Sequence, residues 1–234
     1  MQAVSSRETL AESCRGDELF ASRAFAEPLT RLSTARDWRN TGAVHESRDQ
    51  GWYPAFTGYR GSQSLRAETF IALVEDVLLK LVSDGARSIA IINTGVSTEA
   101  PLTIAVRTVL ERTGVAVSVA DIRNLGHAAS AIFEQNGGGH ADEHETSLML
   151  AIDPSRVHMD RAVREPAHDA QPTVFRVPAT LRDDPAAGDG YSRTGASGDP
   201  TLASAGKGVA ILGAMVRDLV DGLRVRHPDA HGVR

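Results

Sequence analysis

The segment from residue 67 to residue 120 most constrains the fold, because helical and strand patterns alternate along it. Apolar side chains recur at helical spacing from Ala67 to Ser83, which predicts an amphipathic helix. Residues 88–92 form a short unbroken apolar run, typical of a strand buried on both faces. A second helix over 99–111 and a second buried strand over 115–120 follow. This order predicts an α/β fold with a mainly parallel central sheet and right-handed crossovers.

Length and composition indicate one domain. The chain has 234 residues, of which 41% are apolar, which is enough for a single core. We therefore predict one domain over residues 1–234, with frayed ends at 1–16 and 226–234. Residues 153–190, rich in Pro, Asp, Arg and Ala, are predicted to form an irregular excursion. Apolar spacing also predicts a first helix over 18–26 and a last helix over 202–224.

Charge and cysteine content limit the classes of partner. The formal net charge is −5, which argues against a nucleic-acid partner because no basic surface is indicated. No apolar run approaches the roughly 20 residues of a membrane span, so no membrane partner is expected. Cys14 is the single cysteine, so an internal disulfide is impossible and a cytoplasmic location is expected.

A dense polar cluster follows three glycines in residues 137–145. Its two imidazoles and three carboxylates belong to His140, His144, Asp142, Glu143 and Glu145. The glycines allow a close backbone approach, and Thr146 or Ser147 is predicted to cap a helix through residues 148–152. An imidazole positioned by carboxylates suits general acid–base chemistry. The alternative interpretation is a charged first turn of an ordinary helix.

Residues 140–150, taken with Pro154 and Val157, carry a long motif. They resemble the His-Ala-Gly-Glu-x-Glu-Thr-Ser-x-Met-Leu signature of the creatininase (creatinine amidohydrolase) family. Residues 59–65 and 190–208 are similar to further segments of that family. The resemblance implies a compact α/β fold with a parallel sheet and a homo-oligomer, commonly a hexamer. It also implies hydrolysis of small cyclic amides, formamides or a peptide bond with paired divalent metals.

The resemblance assigns roles within the motif. His140 matches the family histidine that donates and accepts protons, and Glu145 matches the glutamate behind it. Glu143 is the third predicted catalytic residue, as a carboxylate that binds or polarises the substrate. All three predicted catalytic residues therefore lie within six positions of one another.

The family's metal ligands are largely replaced. Its Asn-Gly-His-x-x-Asn loop supplies a metal-binding histidine, and some members add a glutamate two residues later. Here residues 93–99 place Gly95 and Ser97 at those positions. Asp17 fits the family's N-terminal aspartate and Glu8 could stand in for its glutamate, but no histidine precedes Asp17. We therefore predict no metal site and no cofactor, with weak binding of a divalent ion such as zinc or manganese left open.

A further set of side chains is predicted to bind a small-molecule substrate. Glu99 follows the first predicted strand, at the sheet edge where open α/β folds place their ligands. Trp52 and Tyr59 belong to an aromatic-rich loop, and such rings either line a pocket or cover the edge of the core. His127 either faces the same cavity or is an incidental loop histidine. The full set is Asp17, Ser97, Glu99, Trp52, Tyr59 and His127.

Three functions remain as hypotheses. The first is an enzyme that hydrolyses or rearranges a cyclic amide or another C–N bond of a small molecule through His140 and Glu145, with little or no metal. The second is a non-catalytic binding or scaffolding subunit. The third is a metal-dependent amidohydrolase with relocated ligands, drawn from His45, Glu46, His127 and His140.

Overall fold

A computed structural model of the chain describes residues 51–59, 62–165 and 180–227. Its helices and strands in chain order are α1 (Ala67–Ser83), β1 (Ile89–Asn93), α2 (Glu99–Thr113), β2 (Val117–Asp121), α3 (Glu143–Ile152) and α4 (Ala205–Arg226). Short 3-10 helices occupy Pro54–Phe56, Ile122–Asn124, His127–Ile132, Pro154–Arg156, Met159–Arg161, Pro185–Gly190 and Pro200–Leu202. The helix predicted over residues 18–26 lies outside the described residues.

The central sheet is parallel, which confirms the predicted α/β class. In the described chain it consists of β1 and β2, connected through α2, with Ile89 opposite Val117 and Asn93 opposite Asp121. The prediction that both strands are buried on both faces is wrong, since Ala90 is exposed and β2 is half-buried along its length. Within the described residues each strand has one neighbour, so one edge of each lacks a described partner.

Helices cover the two faces of the sheet. Ile89 packs with Leu78 of α1 and Val109 of α2 in one buried cluster. On the other face, Ile92 and Ala120 lie against the second cluster, whose buried members are Leu148, Ile211, Met215 and Leu219 of α3 and α4. Alternate strand residues point to opposite faces, so one short apolar run supplies both clusters.

The start of α3 differs from the prediction. Asp142, rather than Thr146 or Ser147, is the capping residue: its side chain accepts a hydrogen bond from the backbone N–H of Glu145. Thr146 and Ser147 lie inside the helix and are buried. An aspartate is a strong helix cap, and its charge is favourable at the positive end of the helix dipole. The helix therefore begins within the acidic cluster, not after it.

The close contact between α3 and α4 depends on one glycine. A Cβ atom on Gly208 would lie 1.9 Å from the carbonyl oxygen of Ser147, so only a glycine allows this approach. The Ser147 hydroxyl also accepts a hydrogen bond from the backbone N–H of Ser204 at 3.1 Å, and Ser204 in turn caps α4. The two helices are therefore held together both by apolar packing and by these polar contacts at their N-terminal halves.

The remaining described segments agree with an irregular excursion. Residues 153–165 and 180–190 contain short 3-10 turns joined by extended chain. Across the described residues, none of the helices has the length and apolar character needed to cross a membrane.

The Gly208 contact gives a stability prediction. Gly208→Ala should lower the free energy of unfolding by about 1–3 kcal/mol or more, because its methyl group overlaps the Ser147 carbonyl. Gly222→Ala is the matched control in the same helix: nothing lies within 4 Å of its Cβ, so it should raise the free energy by up to about 1 kcal/mol. Denaturant unfolding of both variants tests the contact, and equal effects would contradict it.

Candidate active site

The Asp142 side chain organises the loop that carries the polar cluster. Besides capping α3, one of its oxygens accepts hydrogen bonds from the backbone N–H of Gly139 at 3.1 Å and from the Gln135 amide at 2.8 Å. Burial raises the pKa of Asp142, and the nearby Glu145 carboxylate raises it further, against the opposing effect of these hydrogen bonds. The glycine-rich loop is thereby folded back onto the first turn of the helix.

Glu143 is fully buried, with 0% of its surface exposed. One carboxylate oxygen accepts the backbone N–H groups of Glu134 and Gln135 at 2.9 and 2.8 Å, and the other accepts a hydrogen bond from the Lys207 ammonium. Burial alone would raise the pKa of Glu143, but these partners outweigh it and the pKa lies below its usual value. The structure therefore corrects the prediction that Glu143 contacts the substrate: its oxygens are used inside the protein.

Lys207 was not selected as a site residue from the sequence, although it lies within residues 190–208. Its ammonium also donates to Glu134 at 2.7 Å and to the Leu202 carbonyl at 2.9 Å. The glutamates raise the pKa of Lys207, so the ammonium is charged. The Lys-Gly pair at the start of α4 could have signalled this role, because a lysine there can reach a carboxylate on a facing helix.

His140 and Glu145 form the central pair of the site. The Nδ1 atom of His140 lies 3.4 Å from a Glu145 oxygen, and that oxygen accepts the backbone N–H of Ala141 at 2.7 Å. Burial would raise the pKa of Glu145, but the hydrogen bond and charge of His140 and the Ala141 N–H outweigh it, so the pKa is lowered. The side chains are 20% and 38% exposed, so both reach the surface. The structure therefore brings the two predicted catalytic residues into contact.

Ala141, which lies between the glycines and α3, has a strained backbone conformation. Ala141 has a φ angle of 54°, in the left-handed region that costs a non-glycine residue about 1–3 kcal/mol. Ser197 donates its backbone N–H to the His140 carbonyl at 2.7 Å, and the chain on the other side of Ala141 is fixed by the Asp142 cap. These contacts hold Ala141 in the conformation that aims its N–H at Glu145.

Aromatic rings lie against both histidines. The ring of Phe56 lies 4.2 Å from the His140 ring, centroid to centroid, at an interplanar angle of 39°. The ring of Phe133 lies 4.8 Å from that of His144 at 54°. The aromatic loop therefore does reach the site, but through Phe56 and not through a residue that the sequence analysis selected.

The two selected aromatics occupy other positions. Tyr59 is buried, and its hydroxyl donates a hydrogen bond to the Ser192 carbonyl at 2.6 Å while its ring packs on Leu181 and Phe56. Tyr59 is thus part of a small core cluster, which corresponds to the alternative interpretation of these rings and corrects the prediction of a substrate contact. Trp52 is half-buried in the same loop.

The loop after β1 is closed by its own hydrogen bonds. The Asn93 amide donates to Asp121 at 2.7 Å and to the Gly95 carbonyl at 3.0 Å, and its oxygen accepts from the Thr98 hydroxyl at 2.7 Å. Glu99 forms an ion pair with Arg123, which follows β2. The Glu99 carboxylate, which was predicted to bind the substrate, is therefore already paired with the Arg123 guanidinium.

The other predicted substrate residues are dispersed. Ser97 is half-buried in the loop after β1, and His127 is exposed at the start of a 3-10 helix that packs on α4. Asp17 lies outside the described residues. The described geometry therefore concentrates the predicted chemistry on His140 and Glu145.

The described residues do not fit a paired-metal centre by themselves. Within residues 51–59, 62–165 and 180–227, no three His, Cys, Asp or Glu side chains are grouped as metal ligands. Gly95 brings no donor side chain to the loop after β1, and the Glu99 carboxylate is paired with Arg123. The remaining candidates for a metal, Glu8, Asp17, His45 and Glu46, lie outside that part of the chain.

A small depression lies beside Ala141 and the first turn of α3. Most of its lining residues are apolar. Its lining residues are Ala141, Thr146, Val157, His158, Met159, Ala162 and Pro200.

The buried carboxylate gives a pH prediction. The pKa of Glu143 is lowered in the folded protein, so its ionised carboxylate stabilises the fold at pH values above the ordinary pKa of 4.5. This contribution is lost as the pH falls through the lowered pKa. Glu143→Gln should cost about 2 kcal/mol of unfolding free energy at neutral pH and flatten the acid dependence below pH 4.5.

Glu134→Gln is the matched control, since Glu134 contacts the same ammonium but is 66% exposed. It should cost less than about 1 kcal/mol and leave the acid slope nearly unchanged. Denaturant unfolding at several pH values measures the stability and the acid dependence of both variants. An unaltered acid slope in Glu143→Gln would show that the Glu143 carboxylate is not the source of the acid dependence.

Comparison with known proteins identifies the family and the fold. The family model described as creatininase, creatinine amidohydrolase, matches residues 35–223. A solved structure titled "Creatininase Mn" has a TM-score of 0.74 at 22% identity, covering 91% of this chain and 84% of its own. A structure titled putative creatinine amidohydrolase, from Bacteroides fragilis, has a TM-score of 0.69 at 19% identity and covers 93% and 83%.

A curated relative adds sequence similarity over a shorter segment. The mycofactocin precursor peptide peptidase of Mycobacterium tuberculosis is 39% identical over 84 residues, which are 36% of this chain and 31% of that protein. The matched segment thus spans about a third of the relative's length. The names of these similar proteins describe an amidohydrolase and a peptidase. With its family model matched over most of its length, the chain belongs to the creatininase family.

Proposed function

We propose that this chain hydrolyses a C–N bond of a small molecule, with His140 as the general acid–base and Glu145 as the carboxylate that orients it. The observation that carries the proposal is the contact of His140 Nδ1 with Glu145 at 3.4 Å, on a carboxylate fixed by the Ala141 N–H. The membership of the chain in a family of amidohydrolases supports hydrolysis as the reaction class.

The pair suits both proton transfers that amide hydrolysis requires. Glu145 has a lowered pKa and is ionised at neutral pH, so it favours an imidazole that carries its proton on Nδ1 and stabilises the imidazolium. The opposite nitrogen, Nε2, then takes a proton from a water molecule whose oxygen attacks the carbonyl carbon. The same proton passes to the leaving nitrogen as the C–N bond breaks, which leaves His140 neutral for the next cycle.

No step of this proposal uses a metal, because the described residues do not supply a paired site. Gly95 and Ser97 stand where the family has a histidine and, in some members, a glutamate, and Glu99 is held by Arg123. A structural relative is titled "Creatininase Mn" and another "Zn-Zn type", so metal dependence is the main competing hypothesis.

A peptide bond is the second candidate substrate. The observation that favours it is the 84-residue similarity to a protein named as a peptide peptidase. A cyclic amide and a short peptide present the same carbonyl and leaving nitrogen to His140, so one assay panel distinguishes them.

The first test is turnover by site variants. The full chain is incubated with creatinine, other cyclic amides, formamides and short peptides, and the release of amine or acid is followed by mass spectrometry. His140→Gln should lower kcat/KM on the substrate found by about 10²–10⁴-fold, since it removes the proton-transfer group. Glu145→Gln should lower it less. Glu111→Gln, at an exposed glutamate of α2, is the control and should retain activity. Full turnover by His140→Gln would overturn the proposal.

The second test is metal dependence. Elemental analysis is made on the full chain purified without a metal-affinity tag, before and after chelator treatment. We expect the folded, chelator-treated protein to keep its turnover, because the chemistry is assigned to His140 and Glu145. About one or more equivalents of zinc or manganese per chain, with activity lost on chelation and restored by the metal, would instead establish a metal-dependent amidohydrolase.

A further inference from the structure

A short bend connects two fixed points of the loop before α3. Gln135 is fixed at one end: its backbone N–H donates to the Glu143 carboxylate at 2.8 Å, and its side-chain oxygen accepts the Glu143 N–H at 3.0 Å. Gly139 is fixed at the other end, where its N–H donates to the Asp142 carboxylate at 3.1 Å. Between these points lie residues 136–138, of which the first two are exposed.

The bend itself is not held by hydrogen bonds within the part of the chain that the structure describes. The Asn136 side chain has no hydrogen-bond partner there, and the backbone N–H groups of residues 136–138 donate to no described group. Gly137 has a φ angle of 75°, in the left-handed region that glycine adopts without strain. The Asn136 side chain and the Gly137 nitrogen can therefore approach each other without breaking a described hydrogen bond.

An asparagine in such a position can react with its own backbone. The backbone nitrogen of the following residue attacks the side-chain amide carbon, and a cyclic imide, a succinimide, forms as ammonia leaves. Water then opens the ring at either carbonyl. One product is aspartate, and the other is isoaspartate, in which the main chain runs through the side-chain carbons. Glycine is the most favourable following residue, because it has no Cβ to obstruct ring closure.

We propose that Asn136 is a site of spontaneous deamidation. The Gly137 nitrogen bonds to Cγ of Asn136, the Cγ–Nδ2 bond breaks, and Nδ2 leaves as ammonia with the proton from Gly137. Water is the only co-reactant, since it hydrolyses the succinimide. The modification does not rest on the proposed function, because both reacting groups belong to the bend.

The other described asparagines lack this arrangement. Asn93 is buried, and both its amide nitrogen and its amide oxygen are hydrogen-bonded. Asn124 is exposed, but it is followed by Leu125, whose N–H donates to the Ile122 carbonyl at 3.1 Å. Asn136 is also the only asparagine of the sequence that precedes a glycine. We therefore expect the reaction to be selective for Asn136.

The modification changes the length as well as the charge of the bend. Isoaspartate adds a carbon atom to the main chain between Gln135 and Gly139. The space beside the bend is limited, since a Cβ atom on Gly138 would lie 2.7 Å from an Asp142 carboxylate oxygen. We expect the longer main chain to weaken the hydrogen bond from Gly139 to Asp142, which caps α3.

The test follows the modification in the full folded chain. The protein is incubated in buffer at mildly alkaline pH, digested after glutamate and analysed by mass spectrometry. Cleavage after Glu134 and Glu143 isolates residues 135–143, which contain Asn136 and no other asparagine. With time this peptide should gain the mass difference between an amide and a carboxylic acid. Labelling by protein isoaspartate methyltransferase should detect isoaspartate in the same peptide.

Two controls make the result specific. The peptides that carry Asn93 and Asn124 come from the same sample and should stay unmodified over the same period. Asn136→Gln keeps an amide at the exposed position but lengthens the side chain by a methylene group, which disfavours the ring. In this variant the peptide of residues 135–143 should stay unmodified.

A peptide of residues 135–143 that stays unmodified in the folded chain would overturn the proposal. Its modification in denaturant would then identify the fold as the cause of protection. A mass gain without isoaspartate would exclude attack by the Gly137 nitrogen, and an equal gain at Asn124 would contradict the assigned selectivity.

The effect on the loop has its own comparison. Asn136→Asp carries the new charge on a main chain of normal length. The isoaspartate form, separated from the unmodified protein by ion exchange, should unfold at a lower denaturant concentration than Asn136→Asp. Equal midpoints would show that the added main-chain atom does not disturb the cap of α3.

Discussion

The burial of the Glu143 carboxylate is the constraint on which the site depends. An unpaired carboxylate cannot be buried at reasonable cost, so two backbone amides and the Lys207 ammonium must lie where they do. These partners tie the loop before the glycines to the first turn of α4. The Glu143 carboxylate therefore has a structural role, since it joins the loop at residues 134–135 to the first turn of α4.

Helical geometry places Glu143, which contacts Lys207, and Glu145, which contacts His140, on different faces of α3. Glu143 and Ser147 are four residues apart, so they share the face of α3 that meets α4, where they contact Lys207 and the backbone around Ser204 and Gly208. Glu145 lies between them in sequence but on a different face, where it meets His140. Two acidic residues only two positions apart thus have different partners, because the helix turns their side chains in different directions.

Backbone strain and the contacts that maintain it coincide in the loop before α3. Ala141 is held at a positive φ between the His140–Ser197 bridge and the Asp142 cap, and its N–H contributes to the low pKa of Glu145. Such strain persists only where the surrounding structure over-determines the conformation. The aromatic loop adds the Phe56 ring from a part of the chain more than 80 residues away. Segments distant in sequence therefore meet at His140.

The apolar spacing in the sequence was enough to predict the helices and strands whose formation depends on neighbouring residues. The bounds of α1 agree with the apolar spacing from Ala67 to Ser83, and the two strands are shifted by only one or two residues. The cap of α3 was missed because Asp142 belongs to a run of polar residues, in which sequence alone does not distinguish a cap from a ligand. The same run contains His140 and Glu145, whose side chains the structure brings into contact.

The amino-acid sequence by itself determined the α/β class, the alternation of helices with parallel strands and the presence of an imidazole–carboxylate pair. These follow from the spacing of residues near one another in the chain, where periodicity and motif are visible. Only the tertiary structure decided that Glu143 is a buried partner of Lys207, that Tyr59 belongs to the core and that Phe56 contacts His140. Each of these depends on contacts between segments distant in sequence, and the direction of a side chain across such a contact is set by packing and not by local pattern.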